Sequence, residues 1–182
     1  MMENLKKLNI ELQQYLQTIA GNLTGDLVRL LKGENIAYLE NKNLSDIKAF
    51  YFEYEFEYLN IICWGVDAAG RMATKTKALP EKTENAACEN EKWSALIPEK
   101  IWTEAADFQD HYDGDDFDDI LDEYDDEKYR LFEQWFFDCW KEAKAQTSVM
   151  MDAYFSIHDT YFRTDLNTLK TINEDEIAKR YL

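Results

Sequence analysis

With 182 residues, 46% hydrophobic and 14% aromatic, the chain is long enough for one domain with a sizeable core. Its 20 Lys and Arg against 37 Asp and Glu give a net charge of −17, which repels nucleic-acid phosphates and anionic membrane surfaces and leaves a cationic partner as the natural complement. Cys63, Cys88 and Cys139 are widely spaced, form no Cys-x-x-Cys pair and have two histidines to join them, so neither a disulfide framework nor a structural zinc site is indicated.

The first residues, Met-Met-Glu-Asn-Leu-Lys-Lys-Leu-Asn, lack the apolar run of a signal peptide, and no later segment approaches a membrane span. Reduced thiols and a cytoplasmic location are the expectation. From Glu3 to Ile19, Leu5, Leu8, Leu12, Tyr15, Leu16 and Ile19 recur at three- and four-residue steps, the stripe of an amphipathic helix that Gly21 should end. A second helical piece should start at Asn22 or Thr24, run through Leu27, Leu30 and Leu31, and close at Gly33.

The clearest strand follows Ser45-Asp46-Ile47-Lys48. Phe50, Phe52, Tyr54, Phe56 and Tyr58 alternate with Tyr51, Glu53, Glu55 and Glu57, a period of two. Ile61-Ile62-Cys63-Trp64 is then apolar on both faces, which fits a second strand of a hairpin turning near Leu59-Asn60. Asp67-Ala68-Ala69-Gly70 reads as a turn, and Arg71 to Leu79 as one more strand. Pro80 to Glu91 reads as a surface loop, after which Trp93, Leu96, Ile97, Ile101 and Trp102 return the chain to the core through a turn and a short helix around Pro98.

Between Glu104 and Glu127, 13 of 24 residues are Asp or Glu, with no Lys or Arg. Acidic runs are commonly unfolded tails, but Phe117, Ile120, Leu121 and Tyr124 stand at helical spacing inside this one. If the segment from Asp115 to Asp126 is helical, the pairs Asp115/Asp119, Asp118/Asp122, Asp119/Glu123 and Asp122/Asp126 are like-charge neighbours, each costing about 0.2 to 0.5 kcal/mol. Glu interleaved with Lys would solvate a helix face without that cost, so the clustering points to a surface kept for a cation-bearing ligand. Beyond it, Tyr129, Phe132, Trp135, Phe136, Cys139, Trp140 and Ala143 form a broad stripe from Glu127 to Ala145, suited to cover the aromatic face of the Phe50 strand. Val149 to Ile157 reads as strand or helix, and Glu174 to Tyr181 as a terminal helix starting near Asn173. The expected fold is a single α+β domain spanning residues 1–182, an antiparallel sheet with helices packed on one face.

The chemistry-bearing residues give weaker patterns. Cys139 lies on the apolar stripe, where a thiol is buried and inert. His158-Asp159 has the composition of a base and its orienting carboxylate. Asp113-Gly114-Asp115-Asp116 has the look of a cation loop, yet placing Gly114 at the sixth position of an EF-hand puts Gln109, His111 and Ile120 at the first, third and twelfth. Glu53, Glu55 and Glu57 would share one strand face, either as its solvated side or as a second acidic stripe. No Gly-rich phosphate loop or nucleophile elbow is present, and no catalytic residue, metal site or cofactor is assigned.

The Phe50 to Trp64 strand segment, the Asp107 to Glu127 acidic run and the Trp135 to Trp140 aromatic helix together resemble, in overall character, the immunity proteins of bacterial toxin systems. The resemblance implies a stoichiometric inhibitor without catalysis of its own that neutralises a basic protein, such as a nuclease toxin, by occupying its cationic surface. In that reading Asp113, Asp115, Asp116, Asp118, Asp119, Asp122 and Glu123 carry the charge, and Tyr112, Phe117 and Tyr124 are aromatic anchors. The alternatives are a small metal-dependent or hydrolytic enzyme using His158, Asp159 and nearby carboxylates, and a scaffolding domain.

Overall fold

The computed structural model of the chain describes residues 2–81, 96–111 and 115–181. Leu5, Leu8, Leu12, Leu16, Ile19, Leu23, Leu27 and Leu30 are all buried and keep one helical phase throughout, so a single helix, α1 (Met2–Leu31), replaces the two expected pieces. Gly21 does not end it. A helical glycine costs about 1 kcal/mol relative to Ala, less than the burial of the leucines on either side contributes. The true stop is Gly33, with φ of +77°; Glu34 N–H donates to the Arg29 carbonyl (2.8 Å) and Gly33 N–H to that of Leu30 (3.0 Å), a Schellman closure.

A short 3-10 turn at Leu44–Asp46 leads into β1 (Ala49–Tyr54). The strand is shorter than its alternation suggests. The Glu55 carboxylate accepts hydrogen bonds from the backbone N–H groups of Glu57 and Tyr58, both at 2.8 Å, and Leu59 takes φ of +55°, turning the chain into β2 (Ile61–Val66). Phe56 therefore leaves the sheet and is 58% exposed. The expected hairpin forms, in the register Phe52 opposite Cys63. Asp67 builds the next turn, accepting from Ala69 N–H (2.9 Å) and Arg71 N–H (3.0 Å) with Gly70 at φ of +71°. Of the strand expected from Arg71 to Leu79 only β3 (Lys77–Leu79) is regular; Met72 and Thr74 make isolated bridges to Val66 and Tyr38. Residues 82–91 of the expected loop, and Trp93, lie outside the described residues.

Leu96, Ile97 and Ile101 are buried as expected, and the helix they introduce, α2 (Glu99–His111), has 13 residues. The acidic and aromatic segments then form one 33-residue helix, α3 (Asp115–Thr147). At 1.5 Å per residue it is about 50 Å long, whereas a six-residue strand spans about 20 Å. Its second half covers the sheet: Phe136 lies 5.2 Å from Phe52 and stacks on Phe155 at 4.1 Å, and Trp140 meets Phe52 edge-on at 5.5 Å. The acidic half runs past the sheet, where Tyr124 is buried with Leu5 and Leu8 of α1 against Phe108 of α2.

Val149 to Ile157 resolves as a strand, β4 (Asp152–Ile157), lying parallel to β1 with Phe52 opposite Phe155. Two further strands, β5 (Phe162–Asp165) and β6 (Lys170–Asn173), complete a six-stranded sheet in the order β3-β2-β1-β4-β5-β6. The fold is α+β and the sheet mostly antiparallel, its one parallel pair being β1 with β4. The terminal helix, α4 (Glu174–Lys179), starts at its Asn173 cap. It sits on the face away from α1 and α3, packing Ile177 with Ile172, Ala49, Val66 and Tyr154.

Candidate functional site

The acidic half of α3 is held by its apolar residues. Phe117 and Tyr124, expected as partner anchors, are each only 6% exposed; Tyr124 is buried against α1 and α2 and shows a partner no more than its edge of the flanking grooves. Tyr112 and Asp113 lie outside the described residues, and Asp115 and Asp116 form the first turn of α3. Asp118, Asp119, Asp122 and Glu123 are exposed, as is Asp126. Among the described residues none of these five has a basic side chain within ion-pair distance. Their neighbours nearer the sheet are paired, Asp125 with Lys128 at 2.6 Å and Glu127 with Arg130 at 2.6 Å. The Glu127 carboxyl is held below its ordinary range by its hydrogen bond from Arg130.

Two grooves flank this half-helix, with Tyr124 forming part of both walls. On the α2 side a groove of about 420 Å³ has Ile97, Trp102, Leu121 and the exposed ring of Phe56 as apolar walls, and Asp118, Asp122, Asp125 and Glu57 around it. Lys128 also lines it, its side chain 10% exposed and its Nζ 4.7 Å from the Tyr129 ring centroid and 5.5 Å from that of Tyr124. A cation is thus already seated between a carboxylate and two tyrosine faces, the environment a basic residue of another chain would meet here. Burial pushes the Tyr124 and Tyr129 hydroxyls up, so both rings stay neutral. On the α1 side a groove of about 470 Å³ runs between Leu5, Lys6, Asn9, Ile10 and Gln13 and the α3 residues Ile120, Glu123, Glu127 and Leu131.

Glu53, Glu55 and Glu57 do not form a stripe, because the chain turns between them. Glu53 pairs with buried Arg163 at 2.8 Å, Glu55 caps the hairpin turn, and only Glu57 reaches the α2-side groove. His158 and Asp159 do meet, Nδ1 to Oδ2 at 2.9 Å, with Glu53 Oε2 at 3.9 Å from Nε2. The imidazole is 53% exposed and Asp159 89%, so the pair stands open to water. Cys139 and Cys63 are buried, which pushes their thiols up to about 11 and about 12 and removes the thiolate a nucleophile needs. Among the described residues no three His, Cys, Asp or Glu side chains converge to hold a metal ion, and no helix is long and apolar enough to cross a membrane.

Sequence reasoning missed Lys128, Phe56 and the groove they help to line. Lys128 reads as one of several solvated charges on the aromatic helix, and Phe56 as one more core residue of an alternating strand. Comparison of the chain with protein families, with curated proteins and with solved structures returned no match.

Proposed function

We propose that the chain is an acidic binding protein of the immunity type, which neutralises a basic partner such as a nuclease toxin by covering its cationic surface. The observation that carries this reading is the set of five exposed carboxylates on α3, Asp118, Asp119, Asp122, Glu123 and Asp126, none of them ion-paired among the described residues, beside a groove with apolar walls. Like charges placed at four-residue spacing on a folded helix weaken it, and an oppositely charged ligand removes that repulsion. Fields of this kind raise association rates about 10 to 1,000-fold, and salt screens them. The apolar groove walls then provide short-range contacts that set how long the complex lasts. The bacterial origin and the cytoplasmic setting belong to this proposal.

Co-purification from the native cell at low ionic strength, followed by identification of the retained protein, tests it. A basic protein held in a 1:1 complex and released by salt is the expected result; recovery of the chain alone, or with an acidic protein, defeats the reading. The rival, an enzyme built on His158 and Asp159, has their contact in its favour and their exposure against it. A reaction abolished by His158→Ala, with fold and partner binding intact, would decide for the enzyme.

A further inference from the structure

Phe56 is 58% exposed, yet the turn that carries it is held in place. The Glu55 carboxylate accepts from the N–H groups of Glu57 and Tyr58, both at 2.8 Å. Leu96 N–H donates to the Tyr58 carbonyl at 3.2 Å, and the Tyr58 ring meets Trp102 of α2 edge-on at 5.0 Å. Single exposed rings are common on protein surfaces, but this one borders the α2-side groove together with Trp102 and Leu121. Apolar area gathered at a groove and displayed by a pinned turn has the form of a surface that another molecule covers.

Each long wall of that groove is one helix face. Trp102, Ala105, Ala106 and Gln109 of α2 follow one another at helical spacing, as do Asp118, Leu121, Asp122 and Asp125 of α3. Each set covers two turns, about 10 Å. The charge is one-sided: Glu57, Asp118, Asp122 and Asp125 line the groove, Lys128 is the one basic residue lining it among those described, and the Lys128 ammonium is taken by Asp125 at 2.6 Å. An occupant complementary to these walls is basic, with an apolar edge. It must also satisfy its own backbone, because walls made of helices offer few free N–H or C=O groups; an extended segment needs such partners and a helix does not. We infer that the groove between α2 and α3 receives an amphipathic helix of the basic partner, its apolar ridge on Phe56, Trp102 and Leu121 and its Lys or Arg side chains beside Asp118 and Asp122. That the helix belongs to a basic partner protein rests on the function proposed above; the shape and charge of the groove do not.

The test is NMR titration of the methyl-labelled full chain with a peptide of about 15 residues, long enough to form a helix, that carries Leu along one helical stripe and Lys elsewhere. A peptide of the same composition, shuffled so that Leu and Lys no longer segregate, is the control for charge alone. Saturable shifts of the Leu121 and Ile97 methyls are expected with the amphipathic probe, and at least tenfold weaker binding of the shuffled one. Phe56 is exposed, so Phe56→Ala leaves the fold intact and is the decisive variant: it should weaken the amphipathic probe about tenfold. Asp118→Asn with Asp122→Asn should weaken it and reduce its salt dependence, whereas Ile10→Ala in the α1-side groove should bind as the parent does. Equal binding of the two peptides, a Phe56→Ala variant that binds as well as the parent, shifts centred on Ile10 and Leu131, or no saturable shifts overturn the inference. Binding of the co-purified partner that ignores Phe56→Ala but falls with the two aspartate substitutions defeats the groove and leaves the proposed function standing. Probe binding in the groove, with no basic protein retained from the cell, supports the groove as a helix site and defeats the proposed function.

Discussion

Tyr54, the last residue of β1, donates its hydroxyl to Oε1 of Glu133 on α3 at 2.7 Å. The Tyr54 ring also packs against Tyr129 and Phe132 of α3, and Glu133 beside them is half-buried. Burial raises the Glu133 carboxyl above its ordinary range, and the hydrogen bond from Tyr54 opposes the rise. A carboxyl whose folded pKa is raised binds its proton more tightly in the native state. Stability on its account is full below the unfolded value of about 4.3 and falls as pH rises through the folded value. Glu133→Gln keeps an acceptor for Tyr54 without the charge. It should match the parent near pH 4 and exceed it at neutral pH, as read from urea midpoints across a pH series.

Phe136 touches both central strands, Phe52 of β1 and Phe155 of β4, and is fully buried. Phe136→Ala should cost about 3 to 5 kcal/mol through lost burial and the cavity left behind. Denaturant unfolding measures this directly, and a midpoint that hardly moves would contradict the packing of α3 on the sheet.

Gly21 and Gly25 lie inside α1 on its exposed side, and a Cβ at either would meet nothing within 4 Å. Alanine at each should therefore stabilise the protein by about 0.4 to 1 kcal/mol, mainly by restricting the unfolded chain. Two separate helices broken at Gly21 would show the opposite sign. Thermal melts of the single and double variants distinguish the two cases.

Asp118→Asn with Asp122→Asn removes two charges and two repulsive pairs, Asp118/Asp122 and Asp122/Asp126, from the exposed face of α3. Association with a basic partner should slow and lose part of its salt dependence, while the melting temperature stays level or rises, since each relieved pair is worth about 0.2 to 0.5 kcal/mol. The opposed signs separate a binding surface from a structural one. Stopped-flow association rates across a salt series, beside calorimetry, give both readings; unchanged rates would take these residues out of the interface.

Cys63 and Cys139 should resist thiol reagents at pH 8, since their thiols are pushed up to about 12 and about 11 and both are buried. Peptide mapping after brief alkylation should find them unmodified in the native protein and fully modified in denaturant. Rapid native labelling of Cys139 would reopen a nucleophilic role.

Much of the fold was legible because one face of each main element is buried and repeats at its own period. The leucines of α1, the aromatic residues of β1 and the stripe from Tyr129 to Ala143 each report a helix or strand directly. The limits were set by residues whose local meaning depends on distant partners. Phe56 continues the alternation of β1 yet stands outside it, because the Glu55 side chain ends the strand by capping a turn. The strands β5 and β6 gave no signal: buried Arg163 and Asp165 occupy core-facing positions, and their ion pairs with Glu53 and Arg180 are made across the fold.

The acidic segment divides along the same line. Its charge, its helical spacing and its freedom from Lys and Arg are properties of local order, and they determined by themselves that a folded helix would carry an exposed anionic face. Which residues form that face was decided by tertiary packing. Phe117 is buried, and Tyr124 is turned inward because α1 and α2 need an apolar surface to close against, while Phe56 is brought in from a hairpin turn more than sixty residues away along the chain. The same packing buries Asn9 beside Tyr124, a neighbourhood that no local pattern specifies, because side chains far apart in sequence share an environment only once the hydrophobic faces have fixed how the helices dock.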